Sequence, residues 1–168
     1  ITIPDTAGSD EQPYYVVGIG DSVFAGTADK DANITLTSVK LGANLKYISS
    51  NAFKYCTHLT NVDFSKADKL ERIGSNAFYD TKAVTGWDLS ACEKLTTVDT
   101  GAFNYTKTSI TIKLPANITS WGNNVINNKA MTVHAAASSE TLKTLVAVLN
   151  AGNDKFIFAG ETGEAGKF

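Results

Sequence analysis

Two cysteines and two histidines are all that this 168-residue chain offers of the residues that most often bind metals or carry redox and acid–base chemistry. No apolar stretch approaches the roughly 18 residues that a membrane-spanning helix needs, so membrane insertion is excluded for these residues. Neither sign of charge dominates: the net charge is −2, with no long run of one sign, which removes the electrostatic reason to expect DNA, RNA or an anionic membrane as partner. The N-terminus has neither Met nor a basic-plus-apolar leader, and the chain is read as mature or excised. A pair of cysteines is too few for a disulfide scaffold in a chain this size. His58 and His134 have no Cys, His or carboxylate at metal-ligand spacing, and both are expected to be solvated surface side chains with no metal or cofactor.

What the chain has is repetition. Ile19-Gly-Asp-Ser-Val23-Phe24, Ile48-Ser-Ser-Asn-Ala52-Phe53, Ile73-Gly-Ser-Asn-Ala77-Phe78 and Val98-Asp-Thr-Gly-Ala102-Phe103 recur every 25 to 29 residues, and Trp121-Gly-Asn-Asn-Val125-Ile126 is a degenerate fifth copy. A period in this range means stacked supersecondary units, each unable to bury its apolar face alone. With 43% hydrophobic residues there is enough apolar material for one continuous core.

Within a unit, Leu59-x-x-Val62-x-Phe64 and Val84-x-x-Trp87-x-Leu89 alternate inward apolar with outward polar residues. That pattern calls for one strand per coil and a parallel sheet across coils. Ser-Asn-Ala-Phe and Thr-Gly-Ala-Phe combine a capping residue with a small one, which suits a tight turn that drops the Phe inward. Phe24, Phe53, Phe78 and Phe103 should form one interior file. Cys56 falls where the other copies have Thr27, Thr81 and Thr106, and reads as a small buried hydrogen-bonding residue. Cys92 aligns with Ala67 instead, in a loop, so the two thiols are expected far apart and unpaired.

The pattern Leu45-x-x-Ile48-x-x-x-Ala52-Phe53-x-x-Cys56-x-x-Leu59-x-x-Val62-x-Phe64, repeated from Leu70 and again from Leu95, resembles the BspA-type leucine-rich repeat of bacterial surface proteins. The resemblance covers most of residues 16 to 134. It implies a leucine-rich repeat solenoid of right-handed stacked β/turn coils with a parallel sheet. Residues 1–168 are then one repeat domain: 1–44 a degenerate first part with an insert at 28–33, 45–134 regular repeats, and 135–168 a cap. In the cap, Leu142, Leu145, Val146 and Leu149 follow helical spacing after Ser138 or Ser139, Phe156-Ile157-Phe158 adds a strand, and Glu161 to Lys167 is a loose tail. At the other end Ile1-Thr2-Ile3-Pro4 matches Ile112-Lys113-Leu114-Pro115, the closing strand of a coil.

Three constellations bear on chemistry. Val17-Gly-Ile-Gly20-Asp21-Ser22 resembles the nucleophile block of the GDSL esterases, with Gly152-Asn153-Asp154 mimicking a later block, but no His follows residue 134 to act as its base. The repeat explains Ser22 more simply, as a turn residue. Lys40, Asp63, Asp88 and Lys113 share one outward position on successive coils, with Asp63 and Asp88 expected on neighbouring strands about 4.8 Å apart. A carboxylate pair can hold Ca²⁺ or act as acid and base. The preferred reading is a solvated ladder in which each Asp gains an opposite charge. Tyr55, Tyr79 and Tyr105 follow the repeat Phe in successive coils, either as an aromatic ridge for a partner or as rings packed across adjacent turns. The sequons at Asn33, Asn104 and Asn117 are expected to be unmodified.

Nothing here assembles a nucleophile with its base, so the chain is read as a non-catalytic binding module. The resemblance implies adhesion at an extracellular or cell-surface location, with a protein partner ahead of a glycan. Candidate ligand-binding residues are Lys40, Asp63, Asp88 and Lys113 on the sheet face and Tyr55, Tyr79 and Tyr105 on the turn edge. The outward sheet positions lack aromatics for sugar stacking, which moves any glycan site to the Tyr edge. The alternative is a structural spacer or end-piece of a larger surface protein.

Overall fold

Apolar residues at fixed places in each repeat put two short strands and one tight turn around a shared interior. The computed structural model describes residues 1–27, 35–106, 109–126, 130–135 and 155–158. The expected helix over 138–149, the insert at 28–33, the Gly152–Asp154 block and the tail at 161–167 lie outside the described residues.

The chain opens as expected, with Ile1–Ile3 lying along the next coil: Ile3 N donates to Lys40 O at 2.8 Å and Lys40 N to Ile1 O at 3.0 Å. An antiparallel hairpin follows, β1 (Thr6–Ser9) and β2 (Gln12–Tyr15), paired only with each other. No sequence signal above anticipates it. It occupies the corner that Gly42–Asn44 turns in the next coil. Its base is pinned there: Val16 N donates to Asp5 O (3.0 Å), Asp5 Oδ1 accepts from Ala43 N (2.5 Å), and Asn44 Nδ2 donates to Asp5 O (3.2 Å).

Beyond the hairpin, β3 (Gly18–Ile19), β5 (Tyr47–Ile48), β7 (Arg72–Ile73), β9 (Thr97–Val98) and β11 (Ser120–Trp121) form an unbroken parallel sheet. Ile19, Ile48, Ile73, Val98 and Trp121 stand in one register column. Coils approach closely here: a Cβ on Gly74 would sit 2.7 Å from Ser50 N and 2.8 Å from Ser49 C, both backbone atoms.

The remaining strands run β4 (Ser38–Lys40), β6 (Asn61–Asp63), β8 (Gly86–Asp88), β10 (Ser109–Lys113), β12 (Ala130–Ala135) and β13 (Lys155–Phe158). The last of these delivers the strand expected around Phe156. The single sheet expected here is divided, however. β4 pairs with β6, and β8, β10, β12 and β13 follow one another in a second sheet, while β6 and β8 are not hydrogen-bonded to each other. The division coincides with the two largest side chains of the inward columns on this side. Trp87 occupies the column of Val39, Val62 and Ile112, and Phe64 takes the repeat position of Leu41, Leu89 and Leu114. The two rings face each other at 6.5 Å between coils, and Trp87 also packs on Phe78 (4.8 Å) and Phe103 (4.7 Å). Its indole Nε1 is buried without a protein partner.

The third side carries the aromatic file. Phe24, Phe53, Phe78 and Phe103 stack with centroids 5.1, 5.1 and 5.5 Å apart and planes within 8° of parallel. Main-chain bonds hold the same spacing, Phe53 N to Ala77 O at 2.7 Å and Phe78 N to Ala102 O at 2.8 Å. Each buried ring contributes roughly 1.5–3 kcal/mol. The turn is tight enough that Ser22, Asn51, Asn76 and Asn124 take positive φ (57°, 57°, 53° and 49°), with Gly101 in the same place at 69°. Polar Asn and Gly tolerate that region best.

The Cys/Thr column is buried at Cys56, Thr81 and Thr106, whereas Thr27 in the first coil is exposed. Cys56 is buried and its Sγ donates to Phe24 O at 3.1 Å, while Thr81 Oγ1 donates to Phe78 O at 2.9 Å. Cys92 is buried too, and both thiols are free. Burial pushes Cys56 up to about 11 and, helped by Asp88 and Asp68, Cys92 to about 12.

Candidate functional site

The outward column on the divided sheet holds Lys40, Asp63, Asp88 and Lys113, but as two register pairs rather than one ladder. Lys40 is opposite Asp63, and Asp88 opposite Lys113. Only the second pair closes: Lys113 Nζ lies 2.7 Å from Asp88 Oδ2. Lys40 and Asp63 make no ion pair. Asp63 instead accepts from Ser65 N at 3.0 Å, and that Ser65 contact, ahead of the more distant Lys40 and Lys66 charges, holds its carboxyl below the usual range. For Asp88 partial burial works against ionisation. The Lys113 ammonium and the Ser90 donors outweigh it and bring that carboxyl down as well. Between the two pairs the expected strand-to-strand contact of Asp63 and Asp88 is missing, because β6 and β8 part there. A cleft of about 280 Å³ opens in its place, lined by Asn61, Asp63, Ser65, Asp88 and Ser90.

The three tyrosines do come together. Tyr55 meets Tyr79 edge-on at 5.7 Å, and Tyr79 meets Tyr105 at 5.1 Å. The rings pack across adjacent turns and, in doing so, form a continuous ridge. Tyr105 is 51% exposed, whereas Tyr55 and Tyr79 are half-buried. Burial, then the neighbouring Tyr105 and Tyr55, push the Tyr79 hydroxyl up, which keeps it protonated. Tyr55 and Tyr105 sit at φ 62° and 55°, two residues after the repeat Phe, where the other coils place Gly26 and Asp80. A bulky residue in that region costs on the order of 1–3 kcal/mol, and the surrounding intercoil bonds hold it there. Lys54 lies against the ridge, its Nζ 5.0 Å from the Tyr55 centroid and 5.3 Å from that of Tyr79.

The unbroken sheet also carries polar pairs that the sequence reading missed. Arg72 Nε lies 2.7 Å from Asp99 Oδ2, and Glu71 takes both the Tyr47 hydroxyl (3.1 Å) and Lys46 Nζ (3.8 Å). Superimposing Leu45-Lys46 on Leu70-Glu71 would have found the last of these, since the two charges share one repeat position.

Ser22 is a turn residue equivalent to Asn51, its N–H bonded to Ser50 O at 3.1 Å, and no described residue joins its hydroxyl to an imidazole. His58 is exposed beside Thr57, and His134 is half-buried in β12. Among the described residues no group of three or more His, Cys, Asp or Glu side chains is placed to hold a metal ion, and no helix is long and apolar enough to cross a membrane.

A solved structure shares this architecture. A leucine-rich repeat protein from Bacteroides ovatus ATCC 8483 superimposes with a TM-score of 0.62 at 18% identity, over 80% of this chain and 41% of that one. A leucine-rich cell surface protein from Faecalibacterium prausnitzii A2-165 is 24% identical over 79% of this chain and 46% of that one (TM-score 0.43). The pneumococcal vaccine antigen PcpA is 19% identical over 79% and 39% (TM-score 0.49). This chain thus spans less than half the length of each of the three. No curated protein is similar enough to count as a relative. The model of the BspA-type leucine-rich repeat region matches six copies across residues 17–145, the stretch that holds the phenylalanine file and strands β3 to β12, and to that family this chain belongs.

Proposed function

We propose that this chain is a non-catalytic binding module of a bacterial surface protein, acting at the cell exterior as one repeat unit that presents its divided sheet to an extracellular protein. One observation supports the choice of face above the others: Lys40, Asp63, Asp88 and Lys113 project from consecutive coils as two register pairs, around a cleft bordered by two carboxylates kept ionised. Rigid strands hold these charges in place without further ordering, which lowers the entropic cost of association. The sign order plus, minus, minus, plus favours a partner whose basic group meets the centre. Membership of the repeat family, and a site with no nucleophile joined to a base, support binding over turnover.

The double variant Asp63→Lys/Asp88→Lys tests this reading against a panel of extracellular matrix proteins. The expected result is loss of binding with an unchanged melting curve. A panel that shows no binding by the parent chain at micromolar concentration would favour the spacer role instead. Turnover of p-nitrophenyl acetate that Ser22→Ala abolishes would overturn the non-catalytic assignment.

A further inference from the structure

The tyrosine ridge lies on the turn edge and is composed of different residues from the sheet face. We propose that Tyr55, Tyr79 and Tyr105, with Lys54 among them, form a second binding site, for an acidic saccharide. This goes beyond the protein-binding reading and stands or falls separately from it.

Lys54 carries the chemistry. The residue is half-buried, its ammonium lies over two rings at 5.0 and 5.3 Å, and no carboxylate among the described residues pairs with it. Beside the ridge, Lys82 differs, holding Asp80 at 2.9 Å; other lysines such as Lys40 also lack a carboxylate partner, so the aromatic contact is what sets Lys54 apart. A cation held in place by aromatic faces and left without a counter-charge is complementary to an anion that arrives with a ligand.

The rings define the rest of that ligand. Tyr105 leaves half its surface open 5.1 Å from Tyr79, an amphipathic platform suited to the C–H face of a pyranose, with phenolic hydroxyls available to its hydroxyl groups. A uronic acid carries its carboxylate directly on such a ring, so one residue can stack on a tyrosine while its charge reaches Lys54. An extended acidic peptide fits less well. Its same-face side chains recur about 6.7 Å apart, longer than the 5.1 and 5.7 Å ring steps, so it slips out of phase along the ridge. Backbone placement agrees, because Tyr55 and Tyr105 hold a left-handed conformation at the turn position that Gly26 and Asp80 fill elsewhere.

Trigalacturonate, maltotriose and a triglutamate peptide, titrated into the intact chain and followed by tyrosine fluorescence and amide chemical shifts, test the site. Trigalacturonate is expected to bind about tenfold more tightly than maltotriose, as a charge-assisted contact supplies, and more tightly than triglutamate because only its rings stack in phase with the tyrosines. Lys54→Gln should remove that preference, Lys54→Arg retain it, and Tyr105→Ala weaken binding, with the far-UV spectrum unchanged in each. Asp63→Lys/Asp88→Lys should leave trigalacturonate binding intact. Equal binding of maltotriose, stronger binding of triglutamate, indifference to Lys54→Gln or no binding of trigalacturonate would each overturn the proposal.

Discussion

The two sheets of this solenoid are built from the same repeats, yet one is continuous and the other is divided between β6 and β8. On the continuous side the inward column is Ile19, Ile48, Ile73, Val98 and Trp121, with the one large ring at the end of the row. On the divided side Phe64 and Trp87 meet in the middle of the stack. Repeat length is therefore not what determines whether neighbouring strands pair. The division falls where two large inward rings meet, in an interior packed about as densely as an organic crystal.

Substitutions can break or sharpen that contrast. The largest effect is expected at Phe78, which touches Phe53, Phe103, Phe64 and Trp87 and so ties the file to the wedge. Phe78→Ala should cost about 3–5 kcal/mol in urea unfolding; an unchanged midpoint would refute the stacked-file account. Trp87→Val, which installs the residue of Val39 and Val62, should cost about 2–4 kcal/mol but give new amide-exchange protection over Asn61–Asp63. If the cost appears without the protection, ring volume does not hold the strands apart.

Gly74→Ala probes the continuous side, where backbone of the preceding coil already fills the Cβ position. A loss of about 1–3 kcal/mol is expected, against little change for Gly86→Ala, whose Cβ would approach only Thr111 O at 3.1 Å. The smallest effect concerns pH. The Asp88 carboxyl is depressed in the folded state, so its contribution is present at neutral pH and disappears as pH falls below the ordinary carboxylate range. Both partners are more than half exposed, so solvent screening limits this to under about 1 kcal/mol. Asp88→Asn should flatten that part of the acid titration of stability while leaving the rest.

Much of this organisation was legible because the period compares like with like. Phe24 through Phe103 had to lie in one file once their spacing was seen, and Cys56 among threonines had to be a buried donor. The division of the sheet was hidden because Trp87 and Phe64 satisfy the apolar pattern as well as Val62 and Leu89 do, and pattern carries no volume. The hairpin was hidden for another reason. Thr6-Ala-Gly-Ser9 has weak strand propensity, and Pro13 argues against a strand. At the candidate site, the shared position of Lys40, Asp63, Asp88 and Lys113 was visible, whereas which of them pair depends on the division. The tyrosines' common edge was visible, but not Lys54, whose place on the rings follows from the left-handed turn at Tyr55.

The hairpin at Thr6–Tyr15 shows where this architecture accepts new sequence. Asp5 closes the excursion at its foot and passes the chain to Val16 in phase with the coils that follow, so ten residues project outward while the interior registers nothing. That corner is a natural port for grafting: a loop of other length or chemistry joined between Asp5 and Val16 would be displayed at the side of the solenoid with no core position altered.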